Sequence, residues 1–218
     1  MKIRHLLHVY ADGAYGSPID DHMETLTESG LSAELDCMYV GFVGSETNIE
    51  KARERMMAWD IPFVTLTRCL AGWEQESMRW IPRLIEDFHG ALLYTHTKGS
   101  WAATQPSPPQ REDHVTFNQS WRLSMTHDLV TNWAGAVKLL STEMVDAVGS
   151  HRIMPPHGNG YYGGNFWMAR TDYLRTLPRI SEENRHQAEG WIAENPEGRL
   201  VEVRSGWPGL DVFWEGAL

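Results

Sequence analysis

The sequence predicts an α/β fold in which a mostly parallel central sheet is flanked by helices. Short segments that are apolar throughout alternate with segments whose apolar residues recur every three or four positions. Strands without polar alternation are typical of sheets covered on both faces, and the helical stripes supply that cover. The first hundred residues also suit a nucleotide-binding βαβαβ unit, so the expected sheet is Rossmann-type. The predicted strands are 3–11, 37–43, 62–66, 91–95, 165–169 and 200–203.

Helix signals fill the gaps between the first four strands. Ser17-Pro18 has the pattern of a helix start, with Ser as N-cap and Pro at the first helical position, and Gly30 is a typical helix end. Residues 47–50 (TNIE) form a capping box ahead of a second helix. Apolar residues at helical spacing from Ile81 to Phe88 predict a third.

The second half is predicted to be mainly helical. Apolar residues recur from Trp121 to Leu140 in steps of about four, which indicates a long helical region. A Gly-rich turn precedes the strand at 165–169, and further helices are predicted at 173–179 and 184–195.

No composition shift divides the chain into independent units, so we expect a single domain over 1–218. It comprises a nucleotide-binding βα half at 1–100, a loop at 101–110 and a helical half at 111–218, which would bind a second substrate. The loop has three Pro in four positions and directly follows the fourth strand, so the sequence predicts a mobile lid there, with a plain linker as the alternative.

Composition limits the classes of partner. The formal net charge of −10 repels polyphosphate backbones, so no nucleic-acid partner is expected, whereas a small phosphorylated ligand needs only a few local cations. Cys37 and Cys69 lack metal-ligand spacing and a disulfide framework, and are interpreted as reduced, buried thiols. The apolar run at the N-terminus is too short for a signal peptide or a membrane span. A soluble, cytoplasmic protein is therefore predicted.

Ligands of parallel α/β sheets bind outside the carboxyl ends of the strands. This rule selects Asp12-Gly13, Gly44-Ser45 and the segment His96-Thr97-Lys98-Gly99. Lys98 is suited to neutralising a diphosphate, and His96 to hydrogen bonding a phosphate or holding a metal. The alternative is a solvated Lys beside a half-buried His that is satisfied by the backbone.

The strand predicted at 165–169, after the Gly-rich turn, combines an amide with two aromatic rings. Alternation places Asn165 and Trp167 on one face and Phe166 on the other. An amide and an indole suit a sugar ring, which needs hydrogen bonds at its edge and an apolar floor. We therefore predict that Asn165 and Trp167 bind sugar and that Phe166 packs in the core. The alternative is a bulged strand whose aromatic residues all pack in the core. The ten Trp as a set are equally compatible with packing and with aromatic platforms in a cleft.

Several short motifs occur in an order that resembles a known group of proteins. They are HTKG at 96–99, Trp121-Arg122, GNFW at 164–167, SGL at 29–31 ahead of a YVGFVG strand, and AEGWI at 188–192. Together they resemble bacterial and phage glycosyltransferase-like proteins, and the HTK segment is similar to that of the rhamnan-synthesis glycosyltransferases. The resemblance covers most of residues 1–195.

The resemblance implies a GT-A fold and transfer of a sugar from a nucleotide-sugar donor to an unidentified acceptor. Asp12 would then contact the nucleoside, while His96, Thr97 and Lys98 would hold the diphosphate. Most such enzymes carry Asp-x-Asp after the fourth strand to bind a divalent metal, but here His96-Thr97-Lys98 stands in that place. Either Lys98 holds the diphosphate without metal, or Mn²⁺ or Mg²⁺ uses other ligands. The alternative function is a non-catalytic nucleotide- or sugar-binding module.

Glu189 is the candidate general base. An inverting transfer needs a carboxylate that deprotonates the acceptor hydroxyl, and the resemblance implies that a helix late in the domain supplies it. Glu189 lies in such a helix beside Trp191, which is assigned to the sugar subsite. Asp211 is a weaker rival, His157 is a further residue of interest, and the pair Asp20-Asp21 is interpreted as solvated carboxylates.

Overall fold

The chain folds around one seven-stranded sheet in the order β3-β2-β1-β4-β8-β5-β9, with a separate hairpin of β6 and β7. The computed structural model describes residues 1–100, 110–142, 144–154, 160–180 and 187–204, except the side chains of 110–115. The strands are β1 Ile3–Tyr10, β2 Leu35–Val43, β3 Phe63–Cys69, β4 Ala91–His96, β5 Ala147–Gly149, β6 Arg152–Ile153, β7 Tyr161–Tyr162, β8 Trp167–Arg170 and β9 Leu200–Glu202.

The pairing of the strands confirms a mostly parallel sheet and defines its binding edge. β1 pairs in parallel with β2 and β4, β2 with β3, and β5 with β9. β8 alone in this sheet runs against its neighbours, β4 and β5. The beginning of β8 therefore lies at the same edge as the carboxyl ends of the other strands. Residues from both halves of the chain meet there.

Helices cover both faces of the sheet. They are α1 Gly16–Glu28, α2 Leu31–Glu34, α3 Glu46–Met57, α4 Gln75–Met78, α5 Ile81–Ile85, α6 Gln110–Thr126, α7 Trp133–Leu140, α8 Thr171–Leu174 and α9 Gln187–Gly190, with a π-helical turn at His127–Thr131 and a 3₁₀ turn at Trp191–Ala193. Alternation along β1 sends Leu7 into the apolar cluster under α1 and α3, and Leu6 into the cluster under α5 and α8. The sheet is thus buried on both faces, as its apolar strands predict.

The first four strands occur in the predicted regions, although β3 extends to Cys69, three residues beyond its predicted end. Two predicted helix starts are wrong. The first helix begins at Gly16 with Tyr15 as N-cap, so Ser17 is not the cap, and the capping box at 47–50 is also wrong. The second predicted helix begins at Glu46, with Ser45 as N-cap, so Thr47 already lies in its first turn. The Ser45 side chain makes no capping hydrogen bond, and its hydroxyl donates to Asp12 Oδ1. Asp12, at the end of the neighbouring strand, thus binds the N-cap residue itself.

Three predicted elements in the second half are shorter or interrupted. The region 121–140 is divided by the π-helical turn and by the non-helical backbone of Asn132. The helix predicted at 173–179 spans only Thr171–Leu174, since Pro178 disfavours helical backbone just before it. Of the helix predicted at 184–195, the described part contains α9 and the 3₁₀ turn, and residues 184–186 lie outside the described residues.

Other predictions concern the loop, the thiols and the membrane. The predicted lid at 101–110 lies, apart from the backbone of Gln110, outside the described residues. Cys37 and Cys69 are free thiols, as predicted, but both are half-buried rather than buried. In the part of the chain that the structure describes, no helix is long and apolar enough to cross a membrane.

Candidate functional site

Asp12 lies directly after β1 and contacts the beginning of α3. Its Oδ1 accepts hydrogen bonds from Ser45 N (2.8 Å), Ser45 Oγ (2.9 Å) and Asn48 Nδ2 (2.9 Å). Partial desolvation opposes ionisation, but these hydrogen bonds outweigh it and lower the pKa of Asp12 below its ordinary value. The side chain is exposed, and Oδ2 accepts no hydrogen bond from the described residues. A fixed carboxylate oxygen thus remains available at this edge.

Gly44 makes this arrangement possible. Its φ is +145°, and a Cβ at this position would lie 2.9 Å from Asp12 Oδ1. A side chain at residue 44 would displace the carboxylate, so glycine is required where β2 passes Asp12.

An aromatic pair that the sequence analysis missed lies beside Asp12. The rings of Tyr10 and Trp73 are nearly parallel, at 9° with centroids 6.4 Å apart, and Trp73 is 41 % exposed. Burial, followed by the charge of Asp12, raises the pKa of Tyr10, so its hydroxyl stays protonated at neutral pH. Exposed aromatic surface near a fixed carboxylate suits a planar heterocycle with N–H donors.

The turn after β4 is shaped by its own backbone and by Thr97. Thr97 N donates to His8 O (3.0 Å), and Thr97 Oγ1 accepts from Tyr10 N (3.0 Å). These bonds continue the β1–β4 pairing past the end of the strand and bury Thr97. Gly99 then turns the chain with a φ of +87°, where a Cβ would lie 2.9 Å from Asn118 Cβ. The result places Lys98 at the outer side of the turn.

Lys98 contacts residues from both halves of the chain. Its Nζ lies 3.7 Å from Glu189 Oε1 and 4.3 Å from the centroid of the Trp121 ring. The side chains of Lys98 and Glu189 are 17 % and 32 % exposed, so both charges remain in contact with solvent. Glu189, on α9, therefore faces the turn at 96–99, which is the orientation that its predicted role requires. The role itself stays a prediction.

Arg122 supports the backbone of this turn. Its Nη1 donates to Lys98 O (3.1 Å), and its guanidinium is ion-paired with Asp21. Asp21 is thus engaged in a specific contact, and its neighbour Asp20 is bound by Arg55 and Trp59. Both carboxylates keep solvent contact, as expected, but each also forms an ion pair. These partners lie on α3 and α6 and could not be inferred from local sequence.

His96 is buried and neutral. Burial, reinforced by the nearby charge of Lys98, lowers the pKa of its imidazole to about 3. Its Nε2 therefore carries a proton and donates to Gly164 O at 2.6 Å, while the ring packs on Phe166 with centroids 5.1 Å apart. This contact ties the end of β4 to the turn that precedes β8. In this arrangement Nε2 is already engaged by the protein, as in the alternative left open by the sequence.

Asn165 and Trp167 are fully buried and hydrogen bonded to each other. Asn165 has a φ of +56° and precedes β8, so the strand begins two residues later than predicted. Their side chains meet as alternation predicts, since Trp167 Nε1 donates to Asn165 Oδ1 at 3.0 Å. Neither side chain presents surface to solvent, and Phe166 is buried as expected.

Glu74 is a further residue of this edge that the sequence analysis missed. Its Oε2 accepts from Asn165 Nδ2 (2.6 Å) and Tyr94 Oη (3.1 Å), and its Oε1 lies 3.7 Å from His96 Nε2. Glu74 lies in the segment that follows β3, which ends at Cys69, and ligands of such sheets bind beyond the carboxyl ends of the strands. The predicted third strand ended at Leu66, so the segment that follows β3 was not considered.

Trp191 is only 2 % exposed and packs in the core, with its ring centroid 6.1 Å from that of Trp167. Its Nε1 donates to Pro178 O at 2.7 Å. Its predicted sugar contact is untested, as are those of Asn165 and Trp167. His157 and Asp211 lie outside the described residues.

The described residues do not form a metal site of their own. No group of three or more His, Cys, Asp and Glu side chains among them could hold a metal ion. The alternative in which Mn²⁺ or Mg²⁺ accompanies the donor therefore finds no group of three such protein ligands in the described part of the chain.

Comparison with known proteins identifies the fold. No protein-family model and no curated sequence matches the chain. A mannosyltransferase from Pyrobaculum calidifontis, in complex with GDP-Man and Mn²⁺, superposes with a TM-score of 0.56 at 13 % identity, covering 94 % of this chain and 55 % of that one. A mycobacterial protein superposes with a TM-score of 0.50 at 14 % identity, covering 93 % of this chain and 64 % of that one. This chain thus spans about half of the mannosyltransferase. Its fold is that of the GT-A-like nucleotide-sugar transferases.

Proposed function

We propose that this chain is a glycosyltransferase that transfers a sugar from a nucleotide-sugar donor to an acceptor hydroxyl. The observation that carries the proposal is the approach of Lys98 and Glu189, 3.7 Å apart, at the carboxyl edge of a GT-A-like sheet. A cation for a leaving diphosphate and a carboxylate for an acceptor proton are the two charges that such a transfer needs. The fold shared with a mannosyltransferase bound to GDP-Man supports the same class of donor.

The donor would lie across the ends of β1 to β4. Its nucleobase would stack on the exposed ring of Trp73. An N–H group of the base or a hydroxyl group of the ribose would donate a hydrogen bond to the free Oδ2 of Asp12. Its diphosphate would contact Lys98, a cation that lies in the turn after β4 and keeps contact with solvent. Thr97 and His96 would hold that turn in place.

Glu189 would act as the general base. The acceptor oxygen forms a bond to the anomeric carbon while the bond from that carbon to the diphosphate oxygen breaks. Glu189 takes the acceptor proton, and nucleoside diphosphate leaves with the electron pair of the broken bond. The diphosphate competes with Glu189 for Lys98, so donor binding would release the carboxylate from its ion pair and leave it ready to accept a proton.

The buried aromatic residues would act through packing. Trp167 and Trp191 would lie beneath the sugar end of the site. Their rings pack on each other and would help to hold β8 and α9 in place, and α9 carries Glu189. Asn165 lies in the same layer. All three residues would support the sugar subsite through packing, since they present almost no surface to a ligand.

A binding screen tests the proposal. Isothermal titration calorimetry with UDP, GDP, UDP-glucose, UDP-N-acetylglucosamine and GDP-mannose, each with and without Mn²⁺, identifies a donor class and any metal requirement. Binding followed by release of nucleoside diphosphate in the presence of candidate acceptors supports the enzyme. Binding without turnover, with every acceptor, favours the alternative of a non-catalytic nucleotide- or sugar-binding module. Absence of binding across the panel contradicts both.

A further inference from the structure

A chain of buried hydrogen bonds ends on one carboxylate oxygen of Glu74. The indole N–H of Trp167 can only donate, and it donates to Asn165 Oδ1 at 3.0 Å. This fixes the orientation of the Asn165 amide, so that Nδ2 donates to Glu74 Oε2 at 2.6 Å. Tyr94 donates its hydroxyl to the same oxygen at 3.1 Å. Two donors therefore hold a single oxygen of this carboxylate.

The tyrosine is a reliable donor in this network. Burial, followed by the charge of Glu74, raises the pKa of Tyr94 well above its ordinary value, so the phenol remains protonated. Asn165, Tyr94 and Trp167 are all fully buried. Buried polar groups are costly unless they are satisfied, and here each is satisfied in turn, ending at Glu74.

The second oxygen of Glu74 is left open. Oε1 accepts no hydrogen bond from the described residues, and its nearest charged or ring contact is His96 Nε2 at 3.7 Å. That nitrogen already donates to Gly164 O at 2.6 Å, so it does not satisfy Oε1. The Glu74 side chain is 22 % exposed. A carboxylate held through one oxygen thus keeps its other oxygen free, next to His96 at the end of β4 and to the turn that carries Lys98.

The chemistry of this oxygen restricts its ligand. A carboxylate oxygen accepts hydrogen bonds and repels phosphate, so its partner is a neutral or cationic donor. At the edge that receives a nucleotide sugar, the groups of that kind next to the diphosphate are the hydroxyls of the transferred sugar.

We propose that Glu74 binds a hydroxyl group of the donor sugar, and that Asn165, Tyr94 and Trp167 position it for this contact. This inference rests on the proposed function and names a residue of the same site.

The test is the contribution of the sugar to affinity in the Glu74→Gln variant. The Asn165 and Tyr94 donors keep the glutamine carbonyl at the position of Oε2, so the amide NH₂ replaces the free oxygen and presents a donor. Calorimetry measures the ratio of the affinity for the nucleotide sugar to that for its nucleoside diphosphate, using GDP-mannose with GDP and UDP-glucose with UDP. Glu76→Gln is the matched control, because Glu76 lies on α4, two residues after the N-cap Glu74, and is paired with Arg79.

We expect the Glu74→Gln variant to bind the nucleoside diphosphate as the wild type does. The affinity ratio should fall roughly 10-fold or more, because that is the effect of losing one hydrogen bond to a charged group. Glu76→Gln should leave the ratio unchanged. An unchanged ratio in Glu74→Gln, or an equal loss for sugar-free and sugar-bearing nucleotides, overturns the assignment. A loss seen only with Mn²⁺ identifies a metal ligand instead and also overturns it. A wild type that binds neither ligand overturns the proposed function itself, and this inference with it.

Discussion

Lys98 and Glu189, which lie in different halves of the chain, meet at the carboxyl edge of the sheet with Nζ and Oε1 3.7 Å apart. Both side chains retain solvent contact, so their attraction contributes little to the free energy of unfolding. The pair is therefore available to a ligand with stronger charge. A diphosphate is such a ligand, and its arrival would separate the two residues.

Replacing Lys98 with Ala is expected to weaken nucleoside-diphosphate binding about 10- to 150-fold, the range for a hydrogen bond to a charged group. The fold should persist, because the lost ion pair is partly exposed. Calorimetry measures the affinity, and Lys138→Ala, an exposed lysine on α7, is the control. Equal affinities in the wild type and in Lys98→Ala contradict the phosphate contact.

Replacing Glu189 with Gln keeps the shape of the side chain and removes its basicity. Turnover should fall by a factor on the order of 10² to 10⁴, while nucleoside-diphosphate binding is retained or strengthened because Lys98 loses its competing partner. Steady-state kinetics and calorimetry check the two parts. Full activity in this variant, or a product of retained anomeric configuration by NMR, excludes Glu189 as the inverting base.

Substituting Gly44 with Ala should disturb Asp12. The added Cβ meets Asp12 Oδ1 at 2.9 Å with φ at +145°, so we expect a loss of about 1–3 kcal/mol in the free energy of unfolding. Nucleotide affinity should fall in parallel if Asp12 contacts the nucleoside. Urea denaturation measures the first effect. Gly190→Ala, where a Cβ would meet nothing within 4 Å, serves as the stability control.

Acid should unfold this protein because it contains buried, neutral histidines. Burial lowers the pKa of His8 to about 4, and of His22 and His96 to about 3, from an ordinary value of 6.5. Between pH 6.5 and these values the unfolded chain binds protons that the folded chain does not, so the free energy of unfolding falls as the pH falls. Each histidine contributes up to about 1.4 kcal/mol per pH unit in this interval.

Denaturant titrations between pH 7 and pH 4.5 check this dependence on pH. His22→Asn should reduce the slope of unfolding free energy against pH, whereas His89→Asn should not, since the His89 side chain is 81 % exposed. Identical slopes in the wild type and in His22→Asn would show that burial of His22 does not contribute.

Local sequence was a good guide to the regular elements of the first half. The apolar runs of β1, β2 and β4 are found within two residues of their predicted ends, because a strand buried on both faces needs such a run. Predictions failed where a distant residue replaced a local partner. The Ser45 side chain makes no capping hydrogen bond and donates to Asp12 instead. Asn165 precedes β8, and its amide is bonded to Trp167 and to Glu74.

The layered α/β architecture, and the edge of the sheet at which polar residues collect, follow from local sequence, since periodicity and strand ends are local properties of the chain. Which of those polar residues meet depends on the folded structure. The antiparallel β8 brings Asn165 beside Glu74, and α9 brings Glu189 to Lys98. The folded structure also leaves Asp12 and Lys98 in contact with solvent, whereas it buries His96 and Trp167. These contacts join residues far apart in sequence, so they depend on packing and strand register, which no local pattern encodes.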